Sequence, residues 1–153
     1  TQWTLTDGQG KKHSLADYTG KPVIVIFYLG KGCAHCIEQL SAFAPEVDRF
    51  KQAGIDLVAI STDHIGGLLE TFQLNQNRPF PFPLLSNASM DVFKQYRAYD
   101  DFEKQPLHGT FLIDRAGLVR WQDISYEPFE EVEFLLKESK RLLAQDPPQV
   151  TKR

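Results

Sequence analysis

Hydrophobic positions along the chain fall into two rhythms that replace one another several times. Residues 23–29 are β-branched, aliphatic and aromatic almost without alternation, the pattern of a strand buried on both faces of a helix-covered sheet. From Cys36 the spacing lengthens, and Ile37, Leu40, Phe43, Ala44, Val47 and Phe50 recur at helical intervals. Pro45 inside that pattern predicts a kink or a split into two helices. Gly54 ends the helix and residues 55–61 form the next strand, so the strand, helix and strand make a right-handed crossover between parallel neighbours.

The flanking segments follow the same logic. Trp3-Thr4-Leu5-Thr6 is a short alternating strand, closed by an Asp7-Gly8-Gln9-Gly10 turn that asks for positive φ. Ser61, Thr62 or Asp63 is expected to cap a helix through Leu68, Leu69, Phe72 and Leu74. The prolines of Arg78-Pro79-Phe80-Pro81-Phe82-Pro83 predict an extended connection, and Ser86 or Asn87 a cap for a helix carrying Val92, Phe93 and Tyr96. After a polar loop over residues 99–105, residues 109–114 form a strand. Arg115-Ala116-Gly117 turns it into an antiparallel partner over residues 118–121. Glu127-Pro128 is expected to open the last helix, with Phe129, Val132, Leu135, Leu136, Leu142 and Leu143 along one face and Asp146-Pro147-Pro148 as its stop. The elements add up to one α/β domain over residues 1–145 with a flexible tail over residues 146–153.

Composition narrows the partners. With 153 residues, 42% of them hydrophobic, the chain is long enough for one sizeable core. A net charge of -3 without a basic run argues against nucleic acid or an anionic membrane surface, and no apolar stretch approaches the roughly 18 residues of a membrane span. The chain opens at Thr1 without a signal-peptide pattern, the expectation for a processed protein or a domain cut from a longer one, and its compartment stays open.

Both cysteines of the chain stand in Gly30-Lys31-Gly32-Cys33-Ala34-His35-Cys36, between the buried strand and the helix. Cysteines three apart in a first helical turn have Cβ atoms about 5–6 Å apart, close to the roughly 3.5–4.5 Å of a disulfide. A bond enclosing so small a loop adds little stability, so reversible redox use is expected. The helix N-terminus favours a thiolate, with Cys33 as nucleophile and Cys36 as resolving thiol. Protonated His35 would add positive charge near Cys33, unless it simply faces solvent. Lys31 is a weaker candidate for the same role. Glu38 is a candidate proton relay to Cys36, with a solvated helix face as the plainer reading. Trp3 and Trp121 read as core or rim aromatics. A Cys-x-x-Cys pair is also half of a zinc site, but His13, His35, His64 and His108 show no paired spacing to complete it; neither metal nor cofactor is expected, and His13 and His64 are read as solvent-facing loop residues.

A longer series of motifs then carries a resemblance. Leu5-Thr6-Asp7-Gly8, Ser14-Leu15, Gly20-Lys21-Pro22-Val23, Phe27, Cys33-Ala34-His35-Cys36 and Ala53-Gly54-Ile55 are followed by Ala59-Ile60-Ser61-Thr62-Asp63, Phe82-Pro83-Leu84-Leu85-Ser86 and Thr110-Phe111-Leu112-Ile113-Asp114. In order and spacing, from about residue 3 to 143, the series resembles the alkyl hydroperoxide reductase and thiol-specific antioxidant family. The resemblance implies a thioredoxin-like fold, with a central mixed β-sheet flanked by helices on both faces, and an oxidoreductase. Three departures stand out. Gly30 occupies the place of the family's Thr or Ser before the peroxidatic cysteine, Ile26 that of its proline, and His108 that of an arginine. In the related disulfide oxidoreductases the His108 position holds a cis-proline, and Pro106 lies two residues too early. His108 is thereby expected near Cys33, hydrogen-bonding the thiolate or gating access, or else as a packed structural residue.

The preferred expectation is dithiol-disulfide exchange, in which Cys33 attacks a partner disulfide and Cys36 resolves the mixed disulfide. The alternative is a thiol-dependent peroxidase with Cys33 peroxidatic and Cys36 resolving; a redox-sensing module comes last. Substrates would be a protein disulfide, a small thiol or a hydroperoxide, with a thiol reductant or oxidant for recycling, and the oligomeric state is open.

Overall fold

The computed structural model describes residues 2–76 and 78–145; the tail expected over residues 146–153 lies outside them. Nine strands and five α-helices alternate in this part of the chain: β1 (Thr4–Asp7), β2 (Lys12–Ser14), β3 (Val23–Tyr28), α1 (Ala34–Phe43), α2 (Val47–Gln52), β4 (Asp56–Ser61), α3 (Ile65–Leu74), β5 (Leu84–Ser86), α4 (Asp91–Gln95), β6 (Tyr99–Asp100), β7 (Gln105–Pro106), β8 (His108–Ile113), β9 (Val119–Ser125) and α5 (Val132–Leu143). Seven strands form one sheet in the order β2-β1-β5-β4-β3-β8-β9, and β6 pairs with β7 separately. The β3-β4 and β4-β5 pairs are parallel and the others antiparallel, so the sheet is mixed.

The unalternating run of β3 has the cause its sequence suggested: all six residues are buried, on two different faces. Ile24, Ile26 and Tyr28 join Cys36, Leu40 and Phe43 of α1, Phe50 of α2, and Leu135 and Leu136 of α5 in one core. Val23, Val25 and Phe27 join Trp3, Val92, Phe93, Tyr96 and Phe111 in a second core on the opposite face. Phe27 stands edge-on to Phe93 and Phe111, at centroid distances of 4.9 and 5.6 Å, and the Trp3 indole donates to the Tyr96 hydroxyl at 3.2 Å. Helices therefore cover both faces, the thioredoxin-like arrangement that was expected.

Pro45 does split the long helix. It sits in a 3₁₀ turn (Ala44–Glu46) between α1 and α2, where its missing N–H leaves no helical bond unmade. Gly54, at φ +78, ends α2. Three local expectations fail. The last helix begins at Val132 rather than Pro128, because Phe129 turns aside to stack on Trp121 and its carbonyl accepts from the Gln39 side chain at 3.0 Å. None of Ser61, Thr62 and Asp63 caps α3, whose N-cap is His64; their side chains are taken up elsewhere, as described below. His13 is no solvent-facing loop residue: it lies on β2, with Nε2 2.8 Å from Asp7 Oδ2 across a mostly buried pair. His64 is exposed as expected. Asn87 does serve α4, not from the N-cap position but by accepting from the Val92 and Phe93 amides.

Candidate active site

The cysteine pair sits where β3 hands over to α1. Cys33 is the N-cap of α1, with extended backbone, and its sulfur accepts from the Cys36 amide at 3.2 Å. The same amide, in the first turn of the helix, also donates to the Cys33 carbonyl at 3.1 Å, so it is shared between that oxygen and the sulfur, which takes the place a serine or aspartate oxygen usually fills. Cys36, one turn in, is fully buried, and the Leu29 amide donates to its sulfur at 3.4 Å. Cys33 is only partly buried. The two sulfurs are bonded, with Cα atoms 5.2 Å apart. One thiol is thus open to a reactant, the other is held behind it, and an N–H points at each.

The turn that delivers Cys33 to this position is fixed from β4. Gly30 has φ +130, a conformation that L side chains rarely adopt. A Cβ at Gly30 would stand 2.8 Å from Asp63 Oδ1, and a Cβ at Gly67 of α3 would be equally close to that oxygen. The Asp63 carboxylate, largely buried, occupies the cleft that these two glycines leave. Its Oδ1 accepts from the Lys31 amide at 3.1 Å and its Oδ2 from the Ser61 hydroxyl at 3.0 Å. Thr62 adds a hydroxyl bond to the Leu29 carbonyl at 2.5 Å. The Ser61-Thr62-Asp63 segment therefore clamps residues 29–31, which is why it is not available to cap α3. Sequence reading missed this role; the signal available was a glycine on each side of the chain that a single buried carboxylate could require.

His108 opens β8, one position before the Gly109–Phe27 register pair, and is 4% exposed. Its Nδ1 lies 4.0 Å from Cys36 Sγ, and the ligating atoms of Cys33, Cys36 and His108 all lie within 4.8 Å of one another. The histidine expected near Cys33 therefore faces both sulfurs, Cys36 more directly. Burial holds its imidazole below the ordinary value of 6.5; Glu127 opposes that shift and electrostatic repulsion from the His35 side adds to it. His108 is neutral at pH 7, able to accept a proton or a metal at one nitrogen.

The remaining candidates point away. The side chain of His35 is 69% exposed and its Nδ1 stands 3.7 Å from Glu38, itself exposed, so both belong to a solvated helix face. Lys31 reaches over to Glu70 of α3, at 2.7 Å. Trp121 is partly buried against Phe129, a rim position, and Trp3 is a core residue. Among the described residues, no helix is long and apolar enough to cross a membrane.

The sequence profile of the AhpC/TSA family matches residues 1–122. The chain is 33% identical over 137 residues to the chloroplastic peroxiredoxin Q of Suaeda salsa, covering 88% of this chain and 63% of that protein. It is 35% identical over 125 residues to the putative peroxiredoxin MT2597 of Mycobacterium tuberculosis, covering 76% of each. The chain spans 54% of the length of the Oryza sativa peroxiredoxin Q that it matches, so it corresponds to part of several plant relatives. Among solved structures, peroxidoxin BcpB from Mycobacterium tuberculosis superposes with a TM-score of 0.80 at 22% identity, over 96% of this chain and 95% of that one. Xanthomonas campestris peroxiredoxin Q gives 0.77 at 21% identity, over 91% and 90%, and these two likenesses speak to the fold. With the profile spanning four fifths of the chain and relatives above 30% identity along most of it, the chain belongs to the AhpC/TSA family.

Proposed function

We propose that this domain is a thiol-dependent peroxidase. The observation that carries the reading is the division of labour between the two sulfurs: Cys33 partly exposed at the N-cap of α1, Cys36 buried within bonding distance behind it. The Cys33 thiolate attacks one oxygen of a hydroperoxide; the O–O bond breaks, a proton completes the leaving alcohol or water, and a Cys33 sulfenic acid remains. The Cys36 thiol then attacks that sulfur and expels water, giving the Cys33–Cys36 disulfide, which an external dithiol reduces. The Cys36 amide and the positive end of α1 favour the Cys33 thiolate. Cys36 has no solvent to take its proton, and neutral His108 is the base in position for it. His35 contributes at most a screened charge, because it stands in solvent beside Glu38. Gly30 has a conformational role, giving the turn before Cys33 its backbone shape.

The peroxiredoxin names of the relatives favour this reading over the dithiol-disulfide exchange suggested by the sequence alone. Exchange keeps a specific argument of its own. With Gly30 and His108 where the family's Thr and Arg would stand, the site lacks their hydroxyl and guanidinium to orient a peroxide. Stopped-flow mixing of the reduced protein with hydrogen peroxide decides between them. Loss of both thiols within seconds at micromolar peroxide, with one intramolecular disulfide per chain by mass spectrometry, is the expected result. A protein inert to peroxide that turns over insulin or glutathione disulfide would leave exchange as the function.

A further inference from the structure

The two sulfurs and the His108 imidazole form a set that the spacing of histidines in the sequence does not reveal, because β8 brings the third member from 72 residues away. We propose that the reduced protein binds one zinc ion through Cys33 Sγ, Cys36 Sγ and His108 Nδ1, and that this metal-bound state excludes the disulfide.

The ligand types suit zinc, a borderline-soft cation that takes thiolate and neutral imidazole together. Bond lengths of about 2.3 Å to sulfur and 2.0–2.1 Å to nitrogen put neighbouring ligand atoms of a tetrahedron roughly 3.5–3.8 Å apart. The Cys36–His108 pair stands at 4.0 Å and the whole set within 4.8 Å, so the two sulfurs must separate, which reduction brings about, and the imidazole and the sulfurs must close by about 0.4–1.2 Å. Cys33, on the open side, has room to swing outward, while Cys36 and His108 are held by the core. Each sulfur already receives a backbone N–H, from Cys36 and from Leu29, the kind of support that stabilises metal-bound thiolates. Two thiolates, a neutral imidazole and a divalent cation sum to zero charge in a largely buried place, and the exposed flank of Cys33 leaves the fourth position to water. Binding displaces the Cys36 thiol proton and any proton that Cys33 carries. Oxidation reverses it: a hydroperoxide takes two electrons from the paired thiolates and two protons from solvent, the S–S bond forms, an alcohol and water leave, and zinc is released. Binding itself does not depend on the peroxidase reading; only this choice of oxidant does.

The test begins with wild-type protein reduced by a phosphine under nitrogen and titrated with Co²⁺. One equivalent is expected to give the intense visible bands of tetrahedral cobalt together with thiolate charge transfer, both removed by one equivalent of Zn²⁺ and both absent from the oxidised protein. His108→Gln, which removes a ligand outright, is expected to weaken zinc binding against a chromophoric chelator by at least the roughly ten- to a hundredfold typical of losing a ligand's outer hydrogen-bond partner. In the wild type, one equivalent of Zn²⁺ is expected to slow alkylation of Cys33 by iodoacetamide at least about tenfold, with recovery on chelation, since the free thiolate is the nucleophile. A weak octahedral cobalt spectrum, unchanged alkylation, or a folded His108→Gln protein that binds zinc as tightly as the wild type overturns the proposal. Peroxide turnover measured in chelator-containing buffer reads the peroxidase function separately.

Discussion

The Asp63 carboxylate fills the space that a side chain at Gly30 would need, its Oδ1 only 2.8 Å from the position of a Gly30 Cβ. Restoring the family's residue at this place therefore does the opposite of restoring a family site. Gly30→Thr must hold a β-branched residue at φ +130 and push a largely buried carboxylate off the Lys31 amide. Thermal or denaturant unfolding is expected to show a loss of at least about 2 kcal/mol, from backbone strain and a broken charge-assisted hydrogen bond. Peroxide reactivity is expected to fall as well. A Gly30→Thr protein of wild-type stability would show that the turn is not clamped as described.

Asp63→Ala approaches the same clamp from the other partner. It leaves the Lys31 amide and the Ser61 hydroxyl without their acceptor, at a cost of about 1–3 kcal/mol. Because residues 29–31 then lose their anchor, hydrogen exchange of the Lys31 amide is expected to accelerate, and the rate of Cys33 alkylation to change. A purely peripheral Asp63 would leave both untouched.

Cys33→Ser is expected to abolish reaction with peroxide, whereas Cys36→Ser should consume one equivalent and stop. With no resolving sulfur behind it, the Cys33 sulfenic acid accumulates and is trapped by dimedone, detected by mass spectrometry. Dimedone adducts at residue 36 of Cys33→Ser would reverse the assignment of the two thiols.

The buried His108 makes a pH signature. Its folded-state pKa lies below the ordinary 6.5, so between that lowered value and 6.5 the unfolded chain binds a proton that the folded chain does not. Its contribution is constant above this interval, and stability falls as pH drops through it. His108→Gln is expected to flatten that part of the stability profile measured by urea unfolding. The same substitution is expected to slow disulfide formation from the Cys33 sulfenic acid at pH 7 by about 10²-fold, the usual order for losing a general base. Unchanged resolution would assign the Cys36 proton to another acceptor.

Much of this architecture was legible in local pattern because local pattern follows local physics. An unalternating β-branched run can only be buried on two faces, as β3 is, and a proline inside a helical repeat must break the ladder, as Pro45 does. Boundaries that depend on competition were not legible. Whether Pro128 opens a helix is decided by Trp121 and Gln39, which compete for Phe129 from elsewhere in the chain. Asp63 read as a helix cap because the Lys31 amide, 32 residues away, was invisible as a rival donor.

By itself the sequence determined the α/β framework, the place of Cys33 and Cys36 at the entrance of α1, and the departures at Gly30 and His108. These follow from spacing, since strand and helix periods and the reach of a cysteine pair are properties of neighbouring residues. Only the tertiary structure decided what the departures do: Gly30 gives way to Asp63, and His108 stands beside both sulfurs while His35 turns to solvent. The reason is physical. Which polar groups meet in a site depends on how sheet and helices close over one another, and no periodicity along the chain records that distance.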